Sequence, residues 1–550
     1  MMRIVAALAL VLVCCAPSAR AGTGLQAGAA SQRSSFSIGG VVVDASSGAA
    51  VSRCEVTLLA SGDEPSVIGK ISTDVHGSFR FDGLAQGTYR LEASRRGYIA
   101  NAYQGHDGFA TGIVTGPDQD TTHLRFPLTA FGTIDGTISD DNGDPVEDAQ
   151  VHLFRQDQMG GEGRIVRAGQ EMSDDRGGFE FAHLRPGSYF LCVSATPWYA
   201  FRPGTQTDNN GNPLPEDQQP ASPLDVAYPL TFYPNASDAA GATPIPVRGG
   251  DHLQISFSLH AVPAIHIRVR LPVASGSGMV GAGLVADAFG TPVEVGTPRA
   301  DFRPREHMAL YDISGLAPGK YELREGQAGV TQVDATTSHA VDAPAAASNV
   351  EISGKIGMAA GGDLPGNLTV IARRDEDRAM ARSASVSKDG SFSLQGVPPG
   401  LYDMTVGGAN NTLVIAQMAA SGAEVHGNRV TVGTDPVLLA ATLDKGSATI
   451  DGVVKRGGVG VGGAMVELIP DDPNAPTDLL RRDQSNTDGS FTLRRVVPGH
   501  YTLVAIEDGW TLEWARRDAM MPYLTHGMKI EVGTNQTTVH LKTAVEVQPR

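Results

Sequence analysis

The chain has 550 residues, a formal net charge of −17, a hydrophobic fraction of 41%, 66 glycines and 33 prolines. That length exceeds what one hydrophobic core serves, the apolar fraction is too ordinary for a disordered chain, and the glycine and proline content favours many turns over long helices. An acidic surface repels phosphate, which excludes nucleic acid and anionic membranes as main partners.

The chain opens as a signal peptide over residues 1–21. Arg3 supplies the positive end, Ile4 to Val13 an apolar stretch, and Ala19-Arg20-Ala21 a small-x-small cleavage site. The pair Cys14-Cys15 raises the question of a lipid anchor, but Val13 and Cys14 stand where a small residue normally precedes the lipidated cysteine. Residues 22–34 read as a linker. No later stretch approaches ~18 uninterrupted apolar residues, so no transmembrane segment is expected after the leader. The expected location is therefore export: periplasmic, outer-surface or extracellular. Cleavage leaves Cys54 and Cys192, which fall in different repeats and have no nearby thiol for a metal site, so neither a disulfide nor a metal is expected.

From here the chain repeats itself. The first copy reads Phe79-x-Phe81-x-x-Leu84-x-x-Gly87-x-Tyr89-x-Leu91, and the second reads Phe179-x-Phe181-x-x-Leu184-x-x-Gly187-x-Tyr189-x-Leu191. The same offsets return at Gly319 and Tyr321, at Gly400 and Tyr402, and at Gly499 and Tyr501. Six fixed offsets in five places mark an internal repeat. A period of two on either side of the glycine predicts two strands, each with one buried face, joined by a short turn. The turn glycine is expected to use φ > 0, and a second glycine, Gly77, Gly177, Gly390 or Gly489, opens the first of the two strands. The tyrosines are expected to be structural, with the ring in the core and the hydroxyl bonded to nearby backbone, as in the tyrosine corner of β-sandwiches.

Each repeat begins with a first strand, Ile38-x-Gly40-x-Val42 in the first copy, and ends with a closing strand such as Leu124-x-Phe126-x-Leu128. These landmarks predict an all-β tandem array of about five seven-stranded sandwiches. Their spans are 35–130, 131–262 with a long polar loop at 202–225, a degenerate third copy at 263–347, then 348–444 and 445–550. Closing strands run almost directly into the next opening strand, which predicts an extended, semi-rigid array.

The combination of Ile-x-Gly-x-Val, a turn and Thr73-Asp74-x-x-Gly77-x-Phe79-x-Phe81-x-x-Leu84-x-x-Gly87-x-Tyr89-x-Leu91 resembles the carboxypeptidase regulatory-like domain. The resemblance implies a transthyretin-like sandwich grouped with carbohydrate-binding-like folds, tandemly repeated in a bacterial secreted protein. In that family the domain is an accessory to a zinc peptidase, or stands in outer-membrane transport receptors and surface proteins.

The residues themselves supply no catalytic constellation. A zinc peptidase needs ligands at helical spacing, as in His-Glu-x-x-His, and none of the 14 histidines is so placed. His252, His260 and His266 read as solvent-facing strand residues. Asp140, Asn142 and Asp144 have the spacing of a calcium loop without its further carboxylates, and read as a hairpin turn. No nucleophile elbow or phosphate loop occurs. No catalytic, cofactor-binding or metal residue is therefore assigned.

The candidate ligand-binding residues are aromatics near the loop ends: Tyr98 and Tyr103 in the first repeat, Trp198 and Tyr199 in the second, Trp510 and Trp514 in the fifth. Such rings stack on sugar faces, but they also serve to cap a sandwich core, which is the more frequent use. Tyr228, Phe232 and Tyr233 are expected to anchor the long loop. The functional expectation is a non-catalytic, exported interaction or structural protein with polysaccharide or a cell-surface protein as candidate partner. The alternative is an accessory subunit of a secreted hydrolase or outer-membrane transport system, with a carboxypeptidase last.

Overall fold

The computed structural model describes residues 35–62, 65–201, 222–272, 282–296, 299–303, 308–325, 329–342, 349–375, 381–408 and 413–550. The expected leader with Cys14 and Cys15, the linker and most of the 202–225 loop lie outside the described residues.

Alternating side chains give each repeat two sheets that close on one apolar core. In the first module, strand Phe36–Asp44 is the middle of one sheet, antiparallel to Ser78–Leu84 and parallel to the closing strand Leu124–Leu128. The second sheet has Glu55–Ala60 between Ser66–Ser72 and Gly87–Ser94. Ile38, Phe79, Leu91 and Phe126 meet between the sheets. The other four modules repeat this plan, each with its own buried cluster. The first strand and the closing strand are parallel in all five. Among the described residues there is one α-helix, Arg517–Leu524.

The Gly-x-Tyr turn is a crossing between sheets rather than a hairpin. Ser78–Leu84 belongs to one sheet and Gly87–Ser94 to the other, so the turn is the corner of the sandwich. At every corner the tyrosine hydroxyl donates to the carbonyl four residues upstream. The distances are 3.0 Å from Tyr89 to Ala85, 2.7 Å from Tyr189 to Arg185, 2.6 Å from Tyr321 to Ala317, 2.8 Å from Tyr402 to Pro398 and 2.7 Å from Tyr501 to Val497.

The expected left-handed turn glycine is corrected in four of the five copies: Gly87, Gly187, Gly319 and Gly499 do not have positive φ. The left-handed residue stands four positions earlier, at Gly83, His183, Gly315, Gly396 and Arg495, with φ between +57° and +78°. It sits at a bulge where the pairing with the first strand shifts register, as between Phe36 and Ile38. In the third and fifth copies the turn glycine instead leaves room for its tyrosine. A Cβ on Gly319 would lie 3.3 Å from the Tyr321 hydroxyl, and one on Gly499 would lie 3.3 Å from the Tyr501 ring.

The five modules do not form the extended array that short links suggested. The fifth folds back onto the first. Thr487 N donates to Gly112 O at 2.9 Å, Val114 N to Thr487 Oγ1 at 2.9 Å, and Gln484 Nε2 to Gln104 O at 2.6 Å. A loop of the second module touches the fifth through Gln158 Nε2 to Thr511 O at 2.6 Å. The same loop meets the fourth module where Glu162 takes both bonds from Arg429, at 2.6 and 2.7 Å. Link length limits how far neighbours can separate. It does not set the direction in which each sandwich leaves its predecessor.

The corner hydrogen bond is testable. Tyr501→Phe removes the hydroxyl and leaves the Val497 carbonyl short of a donor, so it should cost about 1 kcal/mol in denaturant unfolding. Tyr501→Ala also empties the core and should cost roughly 3–5 kcal/mol. No loss in the Tyr501→Phe variant would mean that the hydroxyl adds nothing.

Candidate functional site

The six candidate aromatics have separate fates. Tyr103 is 8% exposed and packs edge-on against Phe126 at 5.5 Å, inside the first core. Tyr98 is half-buried at the junction of the first two modules, with the Arg95 guanidinium 5.4 Å from its ring. Trp510 is 7% exposed, and its indole N–H donates to Gly463 O at 3.2 Å. Trp514 is half-buried, with the Arg482 guanidinium 3.7 Å from its ring centroid. Trp198 is 82% exposed, and Tyr199 stands edge-on to it at 5.7 Å.

Tyr103, Trp510 and Trp514 are therefore corrected as free loop-end platforms. The reason for Trp510 lies in the first module. His106 stacks on the indole at 5.2 Å with 5° between planes, and Phe109 packs beside it at 5.5 Å. Met465, Ile469, Val504, Ile506 and Met520 complete this seam on the outer face of the fifth module's second sheet. Both faces of strand Met465–Pro470 are buried as a result.

A second seam joins modules two and three. Phe289, with φ of +56°, places its ring between Phe154, Phe190 and Phe232, at 5.2, 5.0 and 5.5 Å. Cys192, on the outer phase of its strand, is buried here as a free thiol, while Cys54 lies in the first core. Beside this seam run two cavities, of about 380 and 800 Å³. Both are lined by Glu147, Asp148, Thr196, Pro197 and Tyr228. Trp198 and Asp175 line the larger one, and Glu294 of the third module lines the smaller. Of the expected loop anchors, Tyr228 and Phe232 are buried and Tyr233 is half-buried.

The histidine and aspartate groups singled out in the sequence act as local fasteners. Asp140 accepts from the amides of Asn142 and Asp144 at 2.8 and 2.9 Å, which makes it the cap of its turn. His252 and His260 are exposed, and His260 pairs with Asp141. His266 is the departure from a solvent-facing residue: it is half-buried and holds Asp225 at 2.6 Å. No group of metal-ligating side chains occurs among the described residues. Among them, no helix is long and apolar enough to cross a membrane.

Comparison with known proteins identifies the domain type. Residues 37–129 match the carboxypeptidase regulatory-like domain, so the first module is a domain of that class, as its motif implies. Residues 445–522 match the second β-sandwich domain of the NOMO1-like subunit of the BOS complex. No curated protein matches the chain in sequence. Among solved structures, the Bacillus anthracis TIE protein aligns at 11% identity over 77% of this chain and 76% of its own, with a TM-score of 0.17. A streptococcal ancillary pilin aligns at 12% over 52% and 100%, with a TM-score of 0.18. The minor pilin GBS52 of Streptococcus agalactiae aligns at 13% over 41% and 96%, with a TM-score of 0.20. At those scores the likeness carries no argument about function or arrangement.

Each seam encloses an ionisable side chain that sequence reasoning missed, because alternation alone would place both residues in solvent. Glu467 is fully buried with neither carboxylate oxygen hydrogen-bonded, and burial pushes its pKa from 4.5 to about 8, opposed only by Arg482 on the adjacent strand. His152 is 1% exposed with neither ring nitrogen partnered, and burial, with Arg167 nearby, lowers its pKa from 6.5 to about 4. The signs are opposite. A raised carboxylate pKa gives a contribution complete below pH 4.5 and lost as pH rises toward 8. A depressed histidine pKa gives one complete above pH 6.5 and lost as pH falls toward 4. Glu467→Gln should match the unsubstituted chain near pH 4.5 and exceed it by up to about 5 kcal/mol above pH 8, measured by denaturant unfolding. An unchanged alkaline limb would place the Glu467 carboxylate in water.

Proposed function

We propose that this chain is a non-catalytic, exported binding and structural protein whose binding surface is the groove at Trp198, and that its ligand is a polysaccharide. The corner tyrosines and their glycines are occupied in holding the sandwiches, and the Trp510 seam in joining modules. What carries the reading is Trp198: an indole 82% exposed at the edge of an 800 Å³ cavity, where the other candidate rings are wholly or partly buried. An exposed indole offers an apolar face to a sugar ring, and the adjoining cavity offers polar side chains for its hydroxyls. The sandwich class of the first module and the leader-like first 21 residues support an accessory, exported role.

Affinity electrophoresis of the full chain through gels containing cell-wall and plant polysaccharides tests the reading. Retardation is expected in at least one gel, with Trp198→Ala weakening it roughly tenfold, the scale of one lost aromatic contact. Retardation unchanged by Trp198→Ala would remove the proposed site.

A further inference from the structure

The groove at Trp198 has a charge character that narrows its ligand. Glu147, Asp148 and Asp175 line it, and Glu294 of the third module lines the adjoining smaller cavity, which shares Glu147 and Asp148 with it. All four are exposed. No lysine, arginine or histidine stands among the described residues lining either cavity. Among the described residues, none of the four carboxylates is in an ion pair. Several other carboxylates in the same two modules do have cationic partners: Asp157 with Arg155, Glu162 with Arg164 and Arg429, Asp225 with His266, and Asp312 with Arg268. The groove thus combines an unmatched negative field with an exposed aromatic face and a cavity large enough for sugar rings.

We infer that the groove selects a cationic glycan, one built of amino sugars with free ammonium groups, over neutral or acidic glycans. The inference rests on the polysaccharide reading of Trp198 and names its ligand class. The apolar face of the sugar ring stacks on the Trp198 indole, and a ring ammonium near that face gains cation–π attraction as well. Ammonium groups along the chain donate charge-assisted hydrogen bonds to Glu147, Asp148 and Asp175. A uronic acid or sulfated glycan stacked on Trp198 meets three lining carboxylates and no lining cation, and is repelled. An N-acetylated glycan keeps the stacking and loses the charge. Because the pairs are exposed, the selectivity weakens as salt screens them and as rising pH deprotonates the sugar amines.

The test is calorimetric titration of the full chain with four ligands of equal length: a β-1,4-linked glucosamine hexamer, its fully N-acetylated form, an oligogalacturonate and hexalysine. The glucosamine hexamer should bind roughly tenfold more tightly than the N-acetylated form, and the oligogalacturonate should not bind. Glu147→Gln with Asp148→Asn should erase that difference while leaving N-acetylated binding in place. Asparagine tolerates the left-handed backbone that Asp148 adopts, at φ +57°, so the pair is expected to fold. Equal binding of the two glucosamine ligands would overturn this inference and leave the polysaccharide reading standing. Hexalysine binding as tightly as the glucosamine hexamer would overturn the glycan class in favour of a basic peptide. Binding of none of the glycans would overturn both readings.

Discussion

Each module depends on one hydrogen bond made where the chain leaves one sheet for the other. The tyrosine hydroxyl returns to the carbonyl four residues upstream in all five corners, at 2.6 to 3.0 Å. The corner leaves a carbonyl without a strand partner, and an unpaired carbonyl is costly where it is buried, as at Ala317 and Val497. The tyrosine answers both needs at once, with its ring filling the core and its hydroxyl reaching the orphan. The bulge just before the corner supplies the change of direction, and at Gly319 and Gly499 the turn glycine leaves space for the ring. With this unit in place, the first strand lies beside its closing strand in parallel, and the second sheet is left with an outer face to use.

Those outer faces shape the rest of the molecule. A sandwich sheet normally presents polar residues outward, yet the fifth module presents Met465, Ile469, Val504 and Ile506, and the second presents Phe154 and Cys192. Each face needs a cover. For the fifth module the cover is the Trp510 turn, the helix Arg517–Leu524 and the first module's Phe109. For the second it is the third module's Phe289. Glu467 and His152 lie in these faces, each buried with no hydrogen-bond partner.

Much of the module was legible in the sequence because its signals are local. Alternation, fixed offsets and a tyrosine near a glycine are properties of thirteen consecutive residues, from Phe79 to Leu91, and they placed the strands and the corner. The conformation within the corner was not legible, since a left-handed residue can be His183 or Arg495 as well as glycine. Nor were the seams. Trp198 and Trp510 follow comparable strands and look alike in sequence, but one is 82% exposed and the other 7%. The difference comes from His106 and Phe109, roughly 400 positions earlier in the chain, and no window of sequence contains both partners. One signal was available: strand Met465–Pro470 is apolar at Met465, Val466, Leu468 and Ile469, so both its faces carry apolar side chains.

The binding reading follows from the folding back. Closure of the fifth module on the first and second covers Trp510 and partly covers Trp514, and leaves Trp198 as the exposed indole beside a cavity. Small-angle X-ray scattering from the purified chain tests that closure most directly. The folded-back arrangement predicts a radius of gyration of roughly 25–30 Å, near the scaling for a compact chain of this length. A value of about 45–50 Å, which the same scaling gives for five sandwiches placed end to end, would contradict it.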